Sequence, residues 1–173
     1  MKKIFFLLTI LTLVGCAPVP STTKYTDKDV YIEKNNVKVG LSVNCRKLKL
    51  LGYFDTYCDN LTLVVQNKNN QNIEINWDKT FFVSNNQTNG GFMFGGIPYI
   101  TRTSKKPNDV IFSNGNFAKV IYPNNLVYYS SSSGWIHQDL PIGEIGIYLT
   151  LIIDKKEVEY KLVNQLKIKK EIL

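Results

Sequence analysis

The sequence predicts an all-β domain built as an antiparallel sandwich, with a small β-barrel as the alternative way of closing the same strands. Three observations carry this. Apolar and polar residues alternate with period two in several separate stretches, Gly, Asn and Pro punctuate those stretches at short intervals, and no run after residue 20 sustains a 3.6-residue repeat. Only Arg46 to Leu51 leaves room for a short turn of helix.

The first alternating run sets Val37, Val39, Leu41 and Val43 against Lys38, Gly40, Ser42 and Asn44. Leu61, Leu63 and Val65 form a second. The polar stretch QNKNNQN then interrupts, and Ile73, Ile75 and Trp77 resume against Glu74, Asn76 and Asp78. That pattern predicts a hairpin with a loop longer than the tight types, and Trp77 falls on its inward face as a core residue. Near the end, Ile145, Ile147, Leu149, Leu151 and Ile153 line one face, Asp154 to Glu157 form a turn, and Val158, Tyr160 and Leu162 return. The terminal KLVNQLKIKKEIL is expected as a last strand with lysines toward solvent, the alternative being a basic amphipathic segment on a membrane. Together these strands predict a domain over residues 37–173, immunoglobulin-like in the broad sense.

The beginning of the chain obeys different rules. Lys2 and Lys3 precede Ile4 to Val14, in which Thr9 and Thr12 are the polar residues. About 20 apolar residues are needed to span a bilayer, so this run is too short for a permanent anchor and matches a secretory signal over residues 1–15. Its ending, Leu13-Val14-Gly15-Cys16, resembles the lipobox of bacterial lipoproteins. The resemblance implies that the Cys16 thiol is alkylated with diacylglycerol, that the chain is cut before Cys16, and that the freed amine is acylated. Small Gly15 leaves room for the cut, and a thiol is nucleophilic enough for the thioether step. Two or more acyl chains hold stably where one is marginal, so Cys16 is expected to be a lasting lipid attachment. Ala17 in place of Asp implies the outer membrane in a Gram-negative envelope. The rest of the chain is similar, in the order of NKNNQNIEINWD, a Gly-rich aromatic loop, a Pro-containing segment and a closing apolar hairpin, to uncharacterised bacterial lipoproteins with sandwich domains. No functional residue is carried over from that likeness.

Residues 16–36 are polar, begin with Pro18 and Pro20, and are expected to form the lipidated terminus and a flexible tether. A coil of about 20 residues reaches on the order of 25 Å, which keeps the domain near the membrane surface. The formal charge of +7 includes Lys2 and Lys3 of the signal. A mildly basic exported domain has little access to nucleic acid, and its expected partners are the membrane itself, through the acyl chains, and a protein or glycan of the envelope.

Cys45 and Cys58 are the other two cysteines, and an exported pair in one domain predicts a disulfide. No metal or cofactor is expected, since the chain has one histidine and no CxxC. YYSSSSGWIHQD places Ser130 to Ser133, His137 and Asp139 close in sequence, which offers an envelope hydrolase using His137 as one alternative. Triad members come from separate elements, however, and no GxSxG turn is present, so no catalytic residue is assigned. The same stretch has the composition of a binding loop in Tyr128, Tyr129 and Trp135, set against a plain serine loop whose aromatics face the core. In GGFMFGGIP, Phe92, Met93 and Phe94 stand between glycine pairs, either as an exposed apolar tip or, by preference, as a strand flanked by bulges. The expected function is a noncatalytic binding or assembly module, and a surface factor that excludes or receives a phage or toxin is a further alternative.

Overall fold

The computed structural model describes residues 21–50 and 53–171, so the signal segment 1–15 and Cys16 lie outside the described residues. Fourteen strands follow in chain order: β1 (Ser21–Tyr25), β2 (Val30–Lys34), β3 (Val37–Leu50), β4 (Tyr53–Asn67), β5 (Ile73–Ile75), β6 (Phe81–Ser84), β7 (Gln87–Thr88), β8 (Phe92–Met93), β9 (Asp109–Ile111), β10 (Asn116–Pro123), β11 (Val127–Ser130), β12 (Gly134–His137), β13 (Gly143–Ile153) and β14 (Lys156–Glu171). Among the described residues, helix is confined to three short 3₁₀ turns at Trp77–Lys79, Tyr99–Thr101 and Asn124–Leu126. The fold is an all-β sandwich.

One layer runs β2-β3-β4-β10, with β8 continuing beside β10, and the other is built on the β13–β14 hairpin, with β6 and β5 along the free edge of β13 and β9 beyond β5. The layers join at one corner. There β14 leaves β13 after Leu166 and pairs through its last residues with β1, which in turn lies parallel to the start of β4. The strand path begins at β2 and ends at β9, so the sheet stays open and no barrel closes. Every described pairing is antiparallel except β1 with β4.

Local chemistry explains the turns. Asn35-Asn36, Asn85-Asn86 and Asp154-Lys155 each join two strands with two residues, and all six have positive φ. That is the type I′ geometry, which matches strand twist and which Asn and Asp tolerate best among side-chain-bearing residues. The core lies between the layers. Val37, Val39, Leu41, Leu61, Leu63, Val65 and Ile121 face Ile73, Ile75, Phe82, Ile145, Ile147, Leu149, Leu151, Tyr160 and Leu162, all buried. At Gly146 a Cβ would stand 2.0 Å from the carbonyl oxygen of Leu162, so only glycine lets β13 and β14 approach as they do.

Four expectations are corrected. The tether placed at 16–36 becomes paired strand from Ser21, because β1 finds two sheet neighbours and β2 hairpins onto β3 through Asn35-Asn36. Arg46 to Leu50 continue β3 rather than turning into helix, since β4 pairs with them residue by residue. The runs around QNKNNQN are not a hairpin: β4 belongs to one layer and β5 to the other. The crossing is fixed by buried Asn67, whose amide donates to the carbonyls of Gln71 at 2.8 Å and Phe112 at 3.0 Å. Finally, β5 stops at Ile75. Trp77 sits in a 3₁₀ turn instead of a strand, yet it is buried as expected and donates its indole N–H to Asp109 at 2.8 Å.

Candidate functional site

Cys45 and Cys58 stand opposite each other on β3 and β4 and are joined by a disulfide. Immediately beside them the register slips: Asn44 faces Asn60 while Cys45 faces Cys58, which leaves Asp59 as the extra residue of a β-bulge. The slip turns the Asp59 carboxylate into a buried position. It accepts from Arg46 at 3.0 Å and from the Asn60 amide at 2.6 Å, and the His137 Nδ1 stands 3.7 Å away.

His137 arrives on the β11–β12 hairpin, which forms a two-stranded sheet of its own. Four contacts hold its base against β1 and β4. The Asp139 carboxylate accepts from the Cys58 amide at 2.9 Å and from the Lys24 ammonium, and the Leu140 amide donates to the Cys58 carbonyl at 2.6 Å. The Tyr57 hydroxyl donates to the His137 carbonyl. Burial, and next the Asp59 charge, push the Tyr57 phenol above its ordinary value, so this donor keeps its proton through the neutral range. Tyr122 is raised for the same two reasons, and its ring lies against His137 with centroids 4.3 Å apart.

Between this hairpin and the Gly-rich loop lies a cleft of about 240 Å³, lined by Met93, Phe94, Gly95, Gly96, Ile97, Tyr122, Val127, Trp135 and His137. The two stretches singled out in the sequence thus form opposite walls of one cavity. Phe92, Met93 and Phe94 are buried and not an exposed tip; β8 pairs Phe92 and Met93 with Pro123 and Tyr122, and Gly90 and Gly96 take positive φ on either side. Phe94 closes the floor, packed against Trp77 with centroids at 4.8 Å. On the rim the opposite holds. Tyr128, Tyr129 and Trp135 are exposed, which excludes the arrangement with those aromatics in the core. Trp135 meets Tyr99 at 5.2 Å and Tyr129 at 6.0 Å, both edge to face, and the Arg102 guanidinium covers Tyr99 at 3.9 Å.

The serines do not join His137. Ser130 faces Gly134 at the closed end of the hairpin, while His137 faces Val127 at the other. Three strand positions separate them, on the order of 10 Å. Asp139 is likewise engaged with Lys24 and the Cys58 amide. No group of three or more potential metal ligands occurs among the described residues.

A larger cavity of about 620 Å³ lies on the other side of the Gly-rich loop, lined among others by Asp78, Gly90, Gly91, Arg102, Lys105, Lys106 and Asn124. Its most buried cation, Lys106, holds the loop together by donating to the carbonyls of Arg102 at 2.9 Å and Ser104 at 3.3 Å. Burial lowers that ammonium pKa. The aromatic cleft is therefore the better candidate, because its rim carries exposed rings that no internal role consumes.

Asp59, Tyr99 and Tyr122 escaped the sequence reading. Asp59 needed the bulge to give it meaning, and nothing in the spacing of Cys45 and Cys58 announces a one-residue slip. With the fold and cleft in view, the chain defines an all-β sandwich with a lateral aromatic pocket. No family model, no curated protein and no solved structure matches it.

Proposed function

We propose that this chain is an exported bacterial lipoprotein, held on a membrane through Cys16, whose sandwich domain binds an envelope protein or glycan without chemical turnover. The observation that carries the binding assignment is the convergence of two separate loops on one small apolar cleft, with Tyr129 and Trp135 exposed at its rim beside half-buried Tyr99. Rigid aromatics beside adaptable Ser and Gly residues supply contact area at low entropic cost. A small apolar pocket with a few polar groups also suits recognition. Support for the anchor remains the lipobox and the signal segment preceding it.

The test pairs Trp135→Ala with Tyr129→Ala in a strain relying on this protein. Loss of the rim should weaken partner binding by about 30-fold or more, the size of a hot-spot deletion, with the melting temperature unchanged. Full retention of binding by the double variant would reject the cleft. The anchor is checked by mass: the mature protein should begin at Cys16 and carry acyl chains, and an unmodified Cys16 would reject it.

One observation favours a second reading, hydrolysis through His137, because Asp59 gives that imidazole a carboxylate neighbour. Ser130 lies three strand positions from His137, and Cys45 and Cys58 are consumed by their bridge, which favours binding. Turnover of envelope glycan or peptide by the purified domain separates the two: hydrolysis predicts an activity that His137→Ala abolishes, and binding predicts none in either form.

A further inference from the structure

The topology gathers three segments at one end of the domain. β3 runs toward that end and β4 runs away from it; β1, parallel to β4, enters from it, and β14 finishes there. A single row crosses all four strands, Leu48 to Asp55, Asp55 to Thr22, and Thr22 to Lys170. Around this row the side chains of Lys47, Lys49 and Lys169 are exposed, and so are those of Leu48 and Ile168, at 38% and 44%. Asp55 in the row accepts from the Thr22 hydroxyl at 2.7 Å and the Thr56 amide at 2.8 Å, and Glu171 stands opposite Ser21 at the same end. The register sets Lys47, Lys49 and Lys169, each one residue off the row, on one face of the sheet, and Leu48 and Ile168 on the other, so the basic face is the one suited to anionic lipid.

The chain itself says which way the end faces. Six residues separate Thr22 from Cys16, and a fully extended chain gains at most about 3.6 Å per residue, so Thr22 stands within about 22 Å of Cys16. The head-group layer on each side is about 5–8 Å thick, so this end stays within roughly 15 Å of its outer edge and is the membrane-proximal end of the domain. A long tether would let the domain turn freely; pairing from Ser21 onward leaves less chain for that turning.

We propose that the β3/β14 end of the domain, through the face carrying Lys47, Lys49 and Lys169, rests on an anionic bilayer surface and biases the orientation of the anchored domain. This rests on the assignment of Cys16 as the lipid attachment. Each lysine near an anionic membrane is worth about 1 kcal/mol, a factor of about five in affinity. Three lysines together add a factor on the order of a hundred, which is large enough to be read without the acyl chains. The cleft hairpin is tied to the same side, since Asp139 bridges Lys24 of β1 and Cys58 of β4, so orientation would set how far the cleft stands from the lipid.

The experiment uses the chain from residue 16 onward with Cys16→Ser, which cannot be acylated but retains every described strand. It is mixed with vesicles of phosphatidylglycerol and phosphatidylethanolamine, or of neutral phosphatidylcholine alone, and binding is read by co-sedimentation. The contact predicts binding to the anionic vesicles, little to the neutral ones, and a sharp loss at high salt. Lys47→Gln, Lys49→Gln and Lys169→Gln together should weaken it at least tenfold, while Lys68→Gln with Lys155→Gln, in turns at the opposite end, should leave it unchanged. Equal binding by both variants, or none to anionic vesicles by the folded parent, overturns the proposal. The anchor is judged separately from the mass of the full chain processed in bacteria. An acylated protein whose unacylated form ignores anionic vesicles refutes the contact and leaves the anchor standing; an unacylated protein that still binds them refutes the anchor and leaves the contact.

Discussion

Asp59 shows how much one extra residue can organise. Its carboxylate is buried by a register slip, and buried charge persists only with partners, which Arg46 and the Asn60 amide provide. Asp59→Ala should leave Arg46 without its carboxylate partner and free His137 to shift, at a cost of about 2 kcal/mol in chemical denaturation. Tyr160 makes a cleaner test, because it is buried in the core and donates its hydroxyl to the Lys34 carbonyl at 3.1 Å. Burial raises its pKa to about 12. The unfolded phenol ionises near 10, so the native state keeps a proton that the unfolded state loses between these values. Stability should thus be unaffected by this group below pH 10 and decline by roughly 3 kcal/mol as pH rises through 12. Tyr160→Phe should reduce that decline in alkaline denaturation; an identical slope in the variant would refute the assignment. At Gly146, substitution by Ala should destabilise by at least 1–3 kcal/mol, since the clash is with backbone and cannot be relieved by a rotamer.

At the scale of elements, the β3–β4 hairpin is stapled by its disulfide and bent by its bulge. Removing the bridge with Cys45→Ser and Cys58→Ser opens a loop of about 14 residues, and the chain-entropy model sets the loss near 3 kcal/mol. The β11–β12 hairpin depends on Asp139 instead. Asp139→Ala should raise amide exchange across Val127–His137 without lowering the global transition, because that hairpin shares no backbone ladder with the sandwich. The strength of period-two patterning explains what the sequence revealed here. Ile145 to Ile153 and Val158 to Leu162 were legible as a hairpin because the turn is short and both strands bury one face. β1 was not, since four of its five residues are polar, and β2 was not, since its apolar alternation is limited to Val30 and Ile32. Their pairing is decided by neighbours far along the chain, β14 for one and β3 for the other.

For the molecule as a whole, the sandwich was legible and its connectivity was not. Alternation reports which residues face inward, but it is silent about which strand is the neighbour, so β4 and β5 looked like a hairpin although they lie in opposite layers. The candidate cleft has the same character. Its two walls stood out in the sequence by composition, and only their meeting at Tyr122 and His137 turns two curious loops into one pocket. In the proposed reading the anchor, the basic end and the cleft form one arrangement, with the domain held close to lipid and the cleft hairpin tied to β1 through Asp139 and Lys24. The central claim is that the aromatic cleft is the partner-binding surface, and it is tested most directly by placing a photo-crosslinking residue at position 129 in intact cells, with position 68 as control. The account predicts a discrete adduct from position 129 that disappears when Trp135 is also changed to Ala, and no such adduct from position 68. The same adduct from both positions, or an adduct at 129 that survives the loss of Trp135, would contradict it.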